Sequence, residues 1–161
     1  MPFTLALTLS LLALVTSAMN TLAPKRNHTV LANAIASVVS AQPPLFKGDG
    51  DRKHTAALVI AIAFRESSLD PAALGDYDAK GRPHSFCAMQ IHDTAGGTVA
   101  LTTDAEACVA KGLAMLRSSV RVDPAHPVAW YARGPGYRSR TAVRISNDRM
   151  WLARKVLAGW P

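Results

Sequence analysis

The sequence predicts a mainly α-helical domain that contains at most a short β-ribbon around residues 75–92. Apolar residues recur at helical spacing in several stretches, and capping residues precede some of them. The segment from residue 75 to residue 85 is instead polar and rich in turn formers. The 161 residues are 49% hydrophobic, which is enough for one globular domain with a sizeable core.

The first segment, residues 1–24, is apolar and has no charged side chain. Residues 3–15 have the length of a signal-peptide core, and small residues at 16–18 offer a cleavage site, but no Lys or Arg precedes them. The uncharged stretch is also just long enough to cross a bilayer. A signal peptide, a membrane anchor acting through residues 3–23, and a helix packed on the protein body all remain open.

Residues 25–161 form the predicted body, which begins with two helices. Thr29 is the expected N-cap of a helix through Ser40, and Pro43-Pro44 ends it. Nine consecutive apolar residues, 56–64, then lead into Arg65 and Glu66. Their length and lack of alternation favour a helix buried on every side, although Val-Ile at 59–60 leaves a strand open. Glu66 at its end is either a solvated cap or a functional group.

The second half of the body predicts two longer helices. Residues 103–106, Thr-Asp-Ala-Glu, form a capping box for a helix to about Ser119. Residues 133–137 contain two glycines and a proline and predict a loop. Ser146 is the expected N-cap of a last helix that ends at Leu157.

The net charge of +7 and the pI near 9.9 predict an anionic partner, either nucleic acid, a membrane surface or an acidic polymer such as a bacterial cell wall. No RNP, zinc-finger or Gly-x-x-Gly clamp pattern is present, so we expect no nucleic-acid partner. Seven of the cationic residues lie between positions 133 and 155, as a solvated face or as a patch for the anionic polymer.

The two cysteines, Cys87 and Cys108, allow one disulfide between the 86–91 segment and the capping-box helix. They could instead join His84 and His92 in a zinc site. The spacing His-x2-Cys-x4-His matches no common structural zinc pattern, so the sequence predicts no metal and no cofactor.

Three short motifs occur in an order that resembles the goose-type lysozyme and soluble lytic transglycosylase superfamily. They are a Glu-Ser pair after a buried helix, a Met-Gln-Ile run, and a Tyr-Ala-Arg-Gly segment, at Glu66-Ser67, Met89-Gln90-Ile91 and residues 131–134. The resemblance covers roughly residues 28–157. Cys87-Ala88 stands where that superfamily has Gly-Leu, and Ala132 stands where it has Asn.

The resemblance implies a lysozyme-like domain that cleaves the β-1,4 bond between N-acetylmuramic acid and N-acetylglucosamine in peptidoglycan. It makes Glu66 the general acid, and an apolar helix before it disfavours the charged form of a carboxyl group. Ser67, Met89, Gln90 and Tyr131 are then the expected substrate-binding residues. The protein would act in the cell envelope, in the periplasm, outside the cell or in a virion.

A hydrolase needs a second carboxylate, whereas a lytic transglycosylase lets the muramoyl 6-hydroxyl attack and needs none. Asp76, in the polar stretch after Gly75, is the expected second catalytic residue, and Asp93 is the runner-up. Both could equally be turn formers. Two rival functions stay open: a non-catalytic wall-binding or structural module on the same fold, and a basic membrane-active protein led by its apolar N-terminus.

Overall fold

The computed structural model describes residues 2–48 and 50–159, and the mainly α-helical prediction is confirmed. The described residues form six α-helices and a small three-stranded sheet. The helices are α1 Pro2–Leu22, α2 Thr29–Ala41, α3 Asp51–Ser67, α4 Ala105–Val122, α5 Ala129–Arg133 and α6 Arg140–Leu157. The strands are β1 Leu74–Gly75, β2 Ser85–Phe86 and β3 Ile91–His92.

Helix α3 is the centre of the core. Its residues 55–63 are buried without exception, and α1, α2 and α6 all pack against it. The apolar run is therefore surrounded on every side, as its all-round hydrophobicity predicted, and the strand alternative is excluded. Because α3 begins in solvent and ends beside the sheet, it carries Glu66 from the core out to a surface.

Helix α1 lies along α2 and α3. Leu11, Val15 and Met19, one turn apart, are fully buried in this contact, and the hydroxyl of Thr8 donates a hydrogen bond to that of Ser40. This is the arrangement expected of a packing helix. Among the helices of residues 2–48 and 50–159, none is long and apolar enough to cross a membrane.

Three predicted helix starts differ from the structure. Helix α6 begins at Arg140 because the Ser139 hydroxyl accepts a hydrogen bond from the backbone N–H of Ala142. Ser146 instead lies buried inside α6, where its hydroxyl accepts a hydrogen bond from the N–H of Val128. A serine that satisfies a distant partner looks like a cap in the sequence.

The other two starts are one residue off. The N-cap of α2 is His28 rather than Thr29. The N-cap of α4 is Asp104 rather than Thr103, whose hydroxyl donates to the carbonyl of Ala100 instead.

The sheet is antiparallel in the order β1-β2-β3. Phe86 pairs with Leu74 on one side and Ile91 on the other, and Ser85 pairs with Gly75 and His92. These strands are only two residues long, and the positive φ angles of Asp76 and Gln90 turn the chain sharply beside them. The ribbon predicted for residues 75–92 is confirmed, and it forms one wall of a cleft.

Candidate active-site cleft

An open cleft of about 930 Å³ lies where the end of α3, the sheet, α4, α5 and α6 meet. Four of the predicted site residues line it, although they are far apart in the chain: Glu66, Asp76, Gln90 and Tyr131. Ser85, His92, Trp130, Arg133 and Arg149 also border it. A concave site with converging polar groups and an aromatic side chain has the features of a ligand-binding site.

Glu66 lies in the last turn of α3, and its side chain is 28% exposed. One carboxylate oxygen, Oε1, accepts a hydrogen bond from the Nη2 of Arg149 at 2.9 Å. Glu66 thus ends the apolar helix as expected, but its side chain is only partly buried and is ion-paired with an arginine of α6.

The partner of Glu66 belongs to a chain of four alternating charges between α3 and α6. Arg149 also donates through Nη1 to Asp148, at 2.8 Å, and Asp148 accepts from Arg65 at 2.9 Å. The Arg149 side chain is only 15% exposed, and its Nε has no hydrogen-bond partner among the described residues. Two of these ion pairs, Glu66–Arg149 and Arg65–Asp148, join the end of α3 to the middle of α6.

Sequence reasoning missed Arg149, which was only one of several C-terminal cations. A signal was present, because Ala142, Ser146, Arg149, Ala153 and Val156 repeat at intervals of three and four residues. The other four members of this stripe are buried. A charged residue on the buried stripe of a helix requires a partner, and Glu66 provides it.

Asp76 follows β1 directly and has a left-handed backbone conformation, with φ of 51°. Aspartate tolerates this conformation better than most residues do. The hydroxyl of Ser85 donates a hydrogen bond to its Oδ2, and both residues line the cleft. Asp76 is therefore a turn residue whose carboxylate also faces the site.

Gln90 is held in the cleft wall by close packing against Gly75. Its Nε2 donates to the backbone carbonyl of Cys87 at 3.0 Å. A Cβ atom at position 75 would lie 2.1 Å from the Gln90 Oε1, so only glycine leaves room for this amide. The Gly75-Asp76 pair thus serves two purposes, since Gly75 admits Gln90 and Asp76 turns the chain.

Tyr131, in α5, contacts the Met-Gln segment from the opposite side. Its hydroxyl donates a hydrogen bond to the backbone carbonyl of Met89. Burial raises the pKa of Tyr131 above its usual range, and the negative charge of Glu66 acts in the same direction. Tyr131 is therefore a neutral hydrogen-bond donor and does not serve as a base at neutral pH.

Two predicted substrate-binding residues, Ser67 and Met89, do not line the cleft. The Ser67 hydroxyl is hydrogen-bonded to the carbonyls of Ala63 and Ala88, at 2.8 and 3.0 Å. The side chain of Met89 is fully buried and fills the space beside Gly112 of α4. Both residues support the cleft from behind, so we correct their expected role from substrate contact to positioning.

The cysteines Cys87 and Cys108 form a disulfide, and both are buried. The bridge joins the turn that carries Gln90 to helix α4. The zinc alternative that included these thiols is excluded, because a disulfide leaves no thiolate to bind metal.

Asp93, the runner-up second carboxylate, is absent from the cleft lining. It contacts His84 and His92 instead. The hydrogen bond that His84 donates to the Asp93 carboxylate raises the pKa of His84 and lowers the pKa of Asp93. Asp76 is therefore the better placed of the two aspartates for chemistry in the cleft.

Comparisons with protein-family models, curated proteins and solved structures find no match for this chain. The open cleft offers two carboxylates, one arginine paired to a carboxylate, one amide and one phenol. Carboxyl groups in such a cleft can transfer protons to and from a bound polar ligand.

Proposed function

We propose that this protein cleaves the β-1,4 bonds of peptidoglycan glycan strands, with Glu66 as the general acid and base. The observation that carries the proposal is the convergence of Glu66, Asp76, Gln90 and Tyr131 on one open cleft. These residues come from four separate parts of the chain, and they fall in or between the motifs that resemble those of lysozymes and lytic transglycosylases. The basic net charge of +7 suits an anionic wall polymer.

Breaking a glycosidic bond requires a proton on the leaving oxygen, and a positioned carboxylic acid supplies it. Before a ligand binds, the Glu66 Oε1 contacts the Nη2 of Arg149 at 2.9 Å. A glycan strand that enters the cleft separates this pair, and Glu66 then takes a proton from solvent water before the bound strand excludes that water and passes the proton to the leaving oxygen. Gln90 and Trp130 are the wall residues that contact the sugar, while Tyr131 keeps the Met-Gln segment in place.

The same cleft supports either of two outcomes after the bond breaks. In a lytic transglycosylase Glu66 becomes the base that activates the muramoyl 6-hydroxyl, and the product has a 1,6-anhydro end. In a hydrolase Asp76 either activates the attacking water or stabilises the positive charge that develops on the sugar, and the product has a reducing end. The hydrogen bond from Ser85 orients the Asp76 carboxylate for that role.

The Cys87–Cys108 bridge also bears on where the protein acts. Disulfides persist in oxidising compartments and are rare in the reducing cytosol. We therefore propose that the protein acts in the cell envelope, outside the cell or in a virion, where the peptidoglycan substrate is found.

The test is digestion of purified sacculi, with released muropeptides identified by mass spectrometry. Glu66→Gln keeps the size of the side chain and removes its acid-base function, so release should fall by at least about 100-fold. Glu106→Gln is the matched control, because Glu106 is the only other glutamate and lies exposed in the first turn of α4. No muropeptide release by the wild type would refute the proposal, and so would full activity in Glu66→Gln.

Asp76→Asn separates the two reaction types. Asparagine also tolerates a positive φ, so the turn should survive the substitution. A transglycosylase keeps its activity and produces anhydro ends, whereas a hydrolase loses activity and its residual products have reducing ends.

One observation favours a second candidate function, a non-catalytic module that binds the wall. Arg149 already neutralises Glu66, and a permanently paired carboxylate is a structural group rather than an acid. This candidate predicts that the wild type co-sediments with sacculi without releasing muropeptides. It also predicts that Arg149→Met lowers stability and leaves product release at zero.

A further inference from the structure

A cluster of three metal-ligating side chains lies at the rim of the cleft, outside the proposed catalytic group. His84 precedes β2, His92 ends β3, and Asp93 follows it. Because Ser85 pairs with His92, the backbone N–H of Asp93 donates to the carbonyl of His84 at 2.8 Å. The hydrogen bonds between β2 and β3 therefore hold the backbones of these residues close together.

The Nδ1 atoms of both imidazoles lie near the same carboxylate, one beside each oxygen. The His84 Nδ1 lies 2.5 Å from Oδ2 of Asp93, and the His92 Nδ1 lies 2.9 Å from Oδ1. The Nδ1 of His92 also accepts a hydrogen bond from the backbone N–H of Thr94 at 3.3 Å and lies 2.8 Å from the Thr94 hydroxyl oxygen. One ligand atom from each of the three residues lies within 4.8 Å of the others. Tetrahedral zinc with bonds of ~2.0–2.2 Å keeps its ligand atoms about 3.3 Å apart, which falls inside this range.

A fourth residue, Asp78, supports the cluster from behind. Its Oδ2 lies 3.8 Å from the Nε2 of His84, the ring nitrogen that faces away from Asp93. Asp78 is itself fixed by the backbone N–H groups of Lys80 and Arg82 and by the Arg82 side chain, at 2.8 to 2.9 Å. Histidines that bind metal commonly direct their second ring nitrogen to a carboxylate or to a water beside one.

We propose that His84, His92 and Asp93 bind one divalent transition-metal ion of the zinc class, with Asp78 orienting His84. Two imidazoles and a carboxylate suit Zn²⁺, Ni²⁺ or Cu²⁺ better than Mg²⁺ or Ca²⁺, which prefer all-oxygen sites. The cluster is open to solvent, since the three side chains are 34 to 43% exposed, so water completes the coordination shell. The ion fastens the start of β2 to the end of β3, where His92 borders the cleft.

The sequence analysis predicted no metal, but it considered a different set of ligands, in which Cys87 and Cys108 joined these two histidines. The disulfide removes both cysteines, and Asp93 takes their place beside His92. The proposal is independent of glycan cleavage, because none of the three ligands has a part in that reaction. Failure of either proposal leaves the other intact.

The test is isothermal titration of the full-length, tag-free protein with Zn²⁺ alone, in the absence of thiol reductants. We expect saturable one-to-one binding that weakens by at least about tenfold in both His84→Ala and His92→Ala. His126→Ala is the matched control, because His126 also contacts an aspartate, Asp123 at 3.1 Å, but belongs to no group of three metal-ligating side chains among residues 2–48 and 50–159. Its affinity should equal that of the wild type.

A second measurement needs no variant. Adding Zn²⁺ to the wild type should shift the imidazole NMR signals of His84 and His92 and leave those of His54 and His126 in place. No saturable binding up to about 1 mM Zn²⁺ overturns the proposal. Wild-type affinity for Zn²⁺ in either His84→Ala or His92→Ala also overturns it. A shift of the NMR signals that is equal for all exposed histidines overturns it as well.

Discussion

Removing the Cys87–Cys108 bridge is the perturbation whose cost follows most directly from the fold. The bridge closes a loop with a sequence separation of 21 and joins the turn before β3 to helix α4. Both residues are buried, and Cys87 has a positive φ of 63°. The Cys87→Ala, Cys108→Ala double variant keeps a Cβ at each position, so backbone strain is unchanged and the loss of the bridge dominates.

The expected magnitude comes from the unfolded chain. A crosslink that closes a loop of this length lowers the entropy of the unfolded state enough to stabilise the fold by about 3 kcal/mol. For a chain of this size each 1 kcal/mol moves Tm by ~2–4 °C. The double variant should therefore melt about 6–12 °C below the wild type.

The assay is guanidinium unfolding followed by tryptophan fluorescence, with thermal melting as a second readout. Fully reduced wild type serves as the control, because it lacks the bridge but retains the sulfur atoms. If the double variant loses more unfolding free energy than the reduced wild type does, the difference measures the cost of the small cavity that the missing sulfur atoms leave in the core. If the free energy of unfolding falls by less than about 1 kcal/mol in both the double variant and the reduced wild type, the bridge does not stabilise the fold through loop entropy as expected.

Three further predictions concern two contacts in the walls of the cleft and the His84–Asp93 contact beside it. Gly75→Ala should displace Gln90 and cost about 0.5–1.5 kcal/mol in urea unfolding through its lost hydrogen bond. Gly136→Ala, where an added Cβ meets no atom closer than 4.0 Å, should cost less. Tyr131→Phe should cost about 1–3 kcal/mol, because the carbonyl that its hydroxyl holds loses a donor; unchanged unfolding would contradict that hydrogen bond. In metal-free protein an NMR titration should show the His84 pKa above 6.5, so the stabilisation from this charged histidine is present below pH 6.5 and is lost as the pH rises through its folded pKa. Titration of His84 at or below 6.5 would show that the Asp93 contact is absent in solution.

Much of the fold was predictable because burial leaves a local signal. The nine-residue apolar run specified a helix with no solvent face, and α3 is surrounded by α1, α2 and α6. The Thr-Asp-Ala-Glu segment predicted helix α4 to within one residue: its N-cap is Asp104, which accepts a hydrogen bond from the N–H of Ala107, rather than Thr103. The polar, glycine-containing segment specified the ribbon. The start of α6 was not predictable in the same way, because Ser146 satisfies a partner 18 residues away.

The sequence by itself determined which chemistry was available in this protein, namely a glutamate after a buried helix, a Met-Gln-Ile turn, a tyrosine and two cysteines. Tertiary structure alone decided the partners. It paired Glu66 with Arg149 across 83 positions, gathered two histidines around Asp93, and placed Met89 behind the cleft rather than in it. Helix and turn propensities act over a few neighbouring residues and can be read locally. Charge pairing depends on distances of a few ångströms between segments far apart in the chain, and only packing sets those distances.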